Sequence, residues 1–229
     1  MPVFRFPDNA GAGQSKEPAG KDAFDWNAAL RESLLFLGAQ QALRLAIEAD
    51  TRAGLKGPFW KDYSRTVKNL RGWNDGDSFA TNYIGHPIMG AVAGFIQIHN
   101  DPAGLRQELG SGSQYRKSRL KALAWSTLYS VHFELGPLGE ASIGNVGKDP
   151  RKSTNHAMAY VDLVVTPVIG TGWLIGEDAV DRYLIARIER WTKNHTVRVL
   201  ARSLLNPARS LSNLLRFKTP WRRDTRQMF

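Results

Sequence analysis

The chain has 229 residues, 42% of them hydrophobic, no cysteine and a formal net charge of +10. That length and apolar content suit one large domain or two small ones with a real core, and they exclude disorder away from the ends. The lack of cysteine excludes disulfides, thiolate metal sites and cysteine nucleophiles, and it suits an oxidising envelope as well as cytosol. The charge is uneven: residues 187–229 hold 11 Lys and Arg against two acidic residues, whereas residues 1–186 hold 20 against 19. Positive charge concentrated in this way suggests an anionic partner: a lipid surface, a nucleic acid or an acidic protein.

Met1–Lys21 is rich in Gly, Pro, Ala and charge and has no apolar h-region, so residues 1–24 read as a flexible leader rather than a signal peptide. Asp25-Trp26-Asn27 starts a helix expected over Ala28–Ala49, ended by Gly54, Gly57 and Pro58. An amphipathic helix over Pro58–Leu70 follows, with proline in its first turn. The turn Gly72–Asp77 launches an apolar helix with Asp77 or Ser78 as N-cap, closed by Asn100-Asp101-Pro102. Beyond the Gly-Ser loop of 104–113, a helix is expected over Gln114–Leu135, then a Gly- and Pro-rich loop to Pro150. A helix around Ala157–Ile175 carries Pro167 near its middle, which predicts a kink or break. Asp178–Asn194 reads as a separate amphipathic helix. Asn206-Pro207 divides the rest into two short helices, and Lys218–Phe229 reads as frayed. No run of about 18 uncharged apolar residues occurs; Ile84–Ile98 and Leu163–Gly176 come nearest, and on length they read as core helices.

Three apolar segments each carry a file of polar or small residues at every fourth position: Asn82, His86, Gly90 and Gly94; Ser126, Ser130 and Glu134; Asp162, Thr166 and Gly170. Residues four apart share a helical face. An unpaired buried polar group costs about 1–3 kcal/mol, so the files are expected to converge on one interior. His86, Glu134 and Asp162 are the candidate catalytic residues, as a base–acid pair or as an N/O set for a divalent metal. No other cofactor is evident. Taken alone, His86 reads as a core histidine satisfied by hydrogen bonds. Asn82, Ser130, Glu140, Thr166, Glu177 and Asp181 are assigned to the same polar centre. Glu177 and Asp181 would repel unless a cation lies between them; otherwise they form the acidic start of a helix.

In the basic tail, charges interleave with Ile188, Trp191, Val197, Leu200, Leu211, Leu214 and Phe217. That pattern assigns Arg198, Arg202, Arg209, Arg216, Lys218, Arg222 and Arg223 to a basic face lying on anionic lipid. Nucleic acid competes as partner, but no helix-turn-helix, zinc knuckle or aromatic RNA-binding signature is present. A solvated charged face is the plain alternative.

The series W-x-D-x-D-x-F-x-x-N-Y-x-x-H-P-x-x-G (Trp73–Gly90) is followed by S-x-x-F-E (Ser130–Glu134), Glu140, D-x-x-x-T-P-x-x-G (Asp162–Gly170) and G-E-D (Gly176–Asp178). This order of motifs resembles the bacterial envelope family called domain of unknown function 3943, and it is distantly similar to VanZ-like small membrane proteins. The resemblance covers about half the chain and implies a helical, membrane-associated envelope protein. The sequence thus predicts an all-α protein, one domain of about six to eight short or broken helices around a buried polar centre. Residues 25–205 form the helical domain and 206–229 a basic helical tail. The expected role is structural or accessory, at an anionic membrane surface and beside an envelope protein partner. A membrane-surface hydrolase or metal-dependent enzyme using His86, Glu134 and Asp162 is the first alternative, and a nucleic-acid binder the second.

Overall fold

The computed structural model describes residues 23–110, 112–144 and 158–226; most of the expected leader and the second half of the 136–150 loop lie outside them. Helix α1 (Trp26–Ile47) starts where the Asp25 carboxylate accepts the Ala28 N–H at 3.0 Å, satisfying one of the first-turn donors. Two short helices follow, α2 (Ala49–Gly54) and α3 (Phe59–Lys68). The next turn needs positive φ at Gly72 (70°) and Gly76 (91°), a conformation that glycine adopts without strain. Ser78 Oγ then accepts the Thr81 N–H, and a π-helical turn (Thr81–Gly85) runs directly into α4 (His86–His99).

Asp101 caps α5 (Pro102–Leu105), which leads to α6 (Ser113–Leu135) and a π-helical turn at Glu140–Gly144. Helix α7 (Tyr160–Ala179) continues through a π-helical stretch (Val180–Ile185) into α8 (Ala186–Trp191); α9 (His195–Leu204) and α10 (Pro207–Leu215) end the order. The described residues contain no strand, so the protein is all-α. Among the described residues there are ten α-helical segments against the expected six to eight, because α2, α5 and α8 are only one or two turns long.

Two expectations are corrected along Tyr160–Trp191. The helix does not break at Pro167, and it does not restart at Asp178. Pro167 is buried where α7 lies on α4 with the two backbones in contact. A Cβ on Gly90 would stand 1.8 Å from the Thr166 carbonyl oxygen, and one on Gly170 would stand 2.8 Å from the Pro87 oxygen. This close packing offsets the one helical bond that a proline removes. The acidic pair that reads as a helix start is used differently. Glu177 accepts the backbone N–H groups of Ala208 (2.8 Å) and Arg209 (3.0 Å), so it caps α10 from a distant part of the chain.

Helix α4 is the axis of the fold, with Gly90–Ile98 wholly buried. Helix α7 runs parallel to it, while α1 and α6 run antiparallel. The Asp25 N–H reaches the Asn100 carbonyl (2.9 Å), Ser126 Oγ the Gly90 carbonyl (2.9 Å), and Lys121 pairs with Asp101 (2.7 Å). Helix α10 packs on α4, and the chain after it folds back: Asn213 Nδ2 donates to the carbonyls of Pro220 (2.9 Å) and Arg222 (3.1 Å). The region beyond residue 206 is therefore packed against the helical domain, and 218–226 are held rather than frayed.

Three long helices bury polar side chains beside apolar ones such as Phe36, Leu37, Tyr129, Phe133, Val161 and Val165, and leave other apolar side chains exposed. Helix α1 buries Glu32 and Gln41 and exposes Leu30, Leu34, Leu35, Leu43 and Ile47. Helix α6 buries Ser118, Arg119, Ser126, Ser130 and Glu134 and exposes Leu120, Leu128 and Val131. Helix α7 buries Asp162, Thr166, Glu177 and Asp178 and exposes Val164, Val168, Ile169 and Ile175. A surface helix of a water-soluble protein turns its apolar stripe inward and its polar face out.

Candidate functional site

The three polar files meet at the end of the bundle where α4 and α7 begin and α6 finishes. Ser126 and Ser130 each donate across a helix contact, to the carbonyls of Gly90 and Asp162 (2.9 and 3.1 Å). His86 stands between Asp162, whose Oδ1 is 3.6 Å from Nε2, and Thr166, whose Oγ1 is 3.4 Å from Nδ1. Asn82, at the start of the same helical stretch, donates its amide N–H to Asp75 Oδ1 at 2.8 Å, and the Asp77 N–H reaches the same oxygen at 3.0 Å. The Asp75 carboxylate also lies within electrostatic reach of Asp162. Glu134, buried near the end of α6, lies within electrostatic reach of Asp162, Arg44 and Asp75. Glu140 sits at the edge, ion-paired with Arg44, which also contacts Glu48 at 3.3 Å.

His86, Glu134, Asp162, Asn82, Ser130, Thr166 and Glu140 therefore belong to one end of the molecule, as the sequence predicts. Asp75 and Arg44 join them unannounced. Asp75 lies in the turn before the helix, outside any four-residue file; its only signal is the W-x-D-x-D string. Glu177 and Asp181 do not belong. They lie 15 or more residues along α7 from Asp162, about 22 Å at 1.5 Å per residue. At that far end Glu177 caps α10, and Asp181 pairs with Arg223 (2.8 Å) and Arg226 (3.1 Å). A cation from the tail does offset the acidic pair, as one reading of the sequence requires.

The carboxylate–imidazole–hydroxyl order Asp162–His86–Thr166 is the order used to activate a nucleophile. The contacts here are long for hydrogen bonds, and Thr166 is buried inside α7 with only 4% exposure. The surface hollow along Lys61, Ser64, Arg65, Lys68 and Asn69 and the smaller one beside Asp101 do not touch these residues. The geometry positions the imidazole without presenting a nucleophile to substrate. Among the described residues no three His, Asp or Glu side chains gather in a way that could hold a metal ion.

The tail is corrected as well. Arg202 and Arg223 are buried, at 2% and 4% exposure, and bind Glu189 and Asp181. Arg209 binds Asp178 (2.6 Å) and Arg216 binds Asp224. Arg198 donates to the carbonyls of Thr192 and Glu189, and Arg222 pairs with Asp224 at 3.1 Å. Lys218 and Arg222 are exposed, but the outer faces of α9 and α10 carry Val197, Leu200, Leu204, Leu211, Leu214 and Phe217. Arg202, Arg209, Arg216 and Arg223 turn inward, while these apolar side chains turn outward. Burial lowers the Arg223 guanidinium to about 10, with repulsion from Arg209 adding to it and Asp181 opposing. Burial alone would raise the Asp224 carboxyl, but hydrogen bonds and charge from Arg216 and Arg222 outweigh it and hold the group below its ordinary value.

Compared with family models, with curated proteins and with solved structures, the chain matches none.

Proposed function

We propose that this chain is a helical protein of the bacterial envelope embedded in the membrane, with a structural or accessory role. In this reading, lipid covers its apolar faces and helix-to-helix polar contacts hold its interior. One observation carries the reading: α1, α6 and α7 each leave several large apolar side chains exposed while burying polar ones. Between Tyr160 and Gly176, no exposed residue of α7 is charged. Water-soluble monomers rarely expose contiguous apolar patches of more than a few hundred Å². In a bilayer that arrangement is favourable, and backbones pack through small residues, as Gly90 and Gly170 do.

The dimensions agree. Helix α1 has 22 residues, about 33 Å, against a hydrocarbon core of about 30 Å. The continuous helix Tyr160–Trp191 is long and apolar enough to cross a membrane, and only 39% of its apolar window is buried, unlike the core helix of a soluble protein. The amphipathic helices α9 and α10, apolar side out, suit the interfacial region. The Lys and Arg excess at the α8–α10 end favours the cytoplasmic side for that end, which leaves His86 near the opposite face.

The test is alkaline carbonate extraction of membranes from cells expressing the full chain, followed by detergent. The reading expects the protein to stay in the pellet and to need detergent for release. Recovery as a monomer in detergent-free supernatant would sink it. Copurification with a protein that covers the same faces without lipid would replace the membrane with an envelope partner.

A further inference from the structure

Helix α3 gathers its cations on one side. Lys61, Ser64, Arg65 and Lys68 follow the three- and four-residue spacing of a single helical face, and all four are exposed. With Asn69 they line a surface hollow of about 440 Å³, within the size range of sites that hold small molecules. Every one of these side chains can donate a hydrogen bond, and none is a carboxylate. Among the described residues no carboxylate pairs with Lys61 or Lys68, and Asp62 comes only within 3.9 Å of Arg65. Like charges four apart on a helix repel, so an anion in the hollow would be stabilising. The opposite face fixes the helix to the bundle. Asp62 and Thr66 are buried there, and the Tyr63 hydroxyl donates to the Leu135 carbonyl (2.7 Å) at the end of α6. Just beyond α3, the Arg71 N–H donates to the Met158 carbonyl (2.9 Å) and the Tyr160 N–H to the Gly72 carbonyl (3.1 Å). The hollow therefore belongs to the end of the bundle where α6 finishes and α7 begins.

We infer that the α3 hollow seats the anionic phosphodiester headgroup of a membrane lipid. The inference deepens the membrane reading and rests on it. The Arg65 fork can hold two phosphate oxygens at once, Lys61 and Lys68 add point charge, and the Ser64 hydroxyl donates once more. Two observations favour a lipid over free phosphate. The hollow sits where the long apolar stretch of α7 starts, which is the level of the headgroups in the membrane reading. Aromatic side chains crowd the same end: Trp60, Trp73, Phe79 and Tyr160 are 72%, 51%, 73% and 48% exposed. Trp and Tyr favour the headgroup level, where an apolar ring and a polar tip are both accommodated. A basic face beside aromatic side chains is the composition of a helix that lies in an anionic interface.

The experiment uses the purified full-length chain in a neutral detergent. Thermal unfolding is followed at constant ionic strength with short-chain phosphatidylglycerol, short-chain phosphatidylcholine or inorganic phosphate. The inference expects phosphatidylglycerol to raise Tm saturably and the other two to have little effect at the same concentration. The triple variant Lys61→Gln, Arg65→Gln, Lys68→Gln should raise the half-saturating phosphatidylglycerol concentration by about tenfold or more. The control Arg190→Gln, Lys193→Gln, Lys218→Gln removes three exposed charges at the far end and should leave that concentration unchanged. Equal responses to the two lipids would overturn the inference, and so would equal losses in the two triple variants. Saturation by inorganic phosphate with no response to lipid would assign the hollow to free phosphate and overturn it as well. The comparison of lipids uses the unaltered chain and does not depend on the variants folding. A chain that stays in the carbonate pellet but shows no preference for phosphatidylglycerol breaks this inference and leaves the membrane reading standing. A chain released without detergent that still prefers phosphatidylglycerol breaks the membrane reading and supports the headgroup site.

Discussion

The two ends of the bundle hold similar numbers of buried carboxylates and treat them in opposite ways. At the α8–α10 end each one meets a guanidinium except Glu177, which the backbone N–H groups of α10 satisfy. Asp178 accepts from Tyr115 (2.8 Å), Arg119 (2.7 Å) and Arg209 (2.6 Å); Asp181 pairs with Arg223 and Arg226, Glu189 with Arg202 and Arg226, and Asp224 with Arg216 and Arg222. At the His86 end, Asp75 accepts from the Asn82 amide and the Asp77 N–H, Asp162 stands 3.6 Å from His86, and the nearby Arg44 is occupied by Glu140 and Glu48. A network in which every charge is matched locks helices together. One left short of donors has capacity for a ligand. The closed end is the framework and the open end the candidate site.

The largest expected effect breaks the closed end. Asp178→Ala strands the buried Arg119 and frees Arg209 and Tyr115, and should cost about 3–5 kcal/mol in reversible unfolding. His86→Gln at the open end should cost less than about 1 kcal/mol, since the imidazole makes only long contacts. Equal costs at the two ends would abolish the distinction.

Next in size is the α4–α7 contact that joins the two ends. Gly90→Ala places a methyl against the Thr166 backbone and should destabilise by about 1–3 kcal/mol. Gly172→Ala meets nothing within 4 Å and should be neutral or gain up to about 1 kcal/mol of helix propensity. A Gly90→Ala protein as stable as Gly172→Ala would show that the helices do not touch there.

The smallest effect is in acid. Asp224 is held below its ordinary value by Arg216 and Arg222 against the opposing effect of burial. Asp101 is held below by Lys121, the Gly104 N–H and Gln97, again against burial. A depressed folded-state value stabilises the fold above the unfolded carboxyl range, about pH 4, and that contribution is lost as pH falls through the folded value. Tm should therefore decline below about pH 4, and Asp224→Asn should flatten that decline by a small but measurable amount. An identical profile in the variant would remove Asp224 from the acid response.

The convergence of Asn82, His86, Ser130, Glu134, Asp162 and Thr166 was legible because four-residue spacing marks one face of a helix, and polar residues in apolar helices must find one another. Asp75 was not legible, because a turn residue has no helical period. Glu177 and Asp181 were misplaced because local spacing does not say which end of a long helix a residue occupies once Gly176 fails to end it. The tail arginines were misread for a deeper reason. A periodic pattern identifies two faces of a helix but not which one points inward, and the default that charge points outward fails when the surroundings are apolar.

The absence of cysteine permits the most direct test of the central claim. Single cysteines are introduced at Leu34, Leu128 and Val168 on the outward faces and at Lys218 as an exposed control, with the protein reconstituted in liposomes. Reaction with a membrane-impermeant maleimide is then timed at each site after the bilayer is made permeable to the reagent. The account predicts that the three helix-face sites stay unreactive until detergent is added while Lys218→Cys reacts promptly. Reaction of Val168→Cys as fast as Lys218→Cys in the permeable bilayers, before detergent, would contradict it.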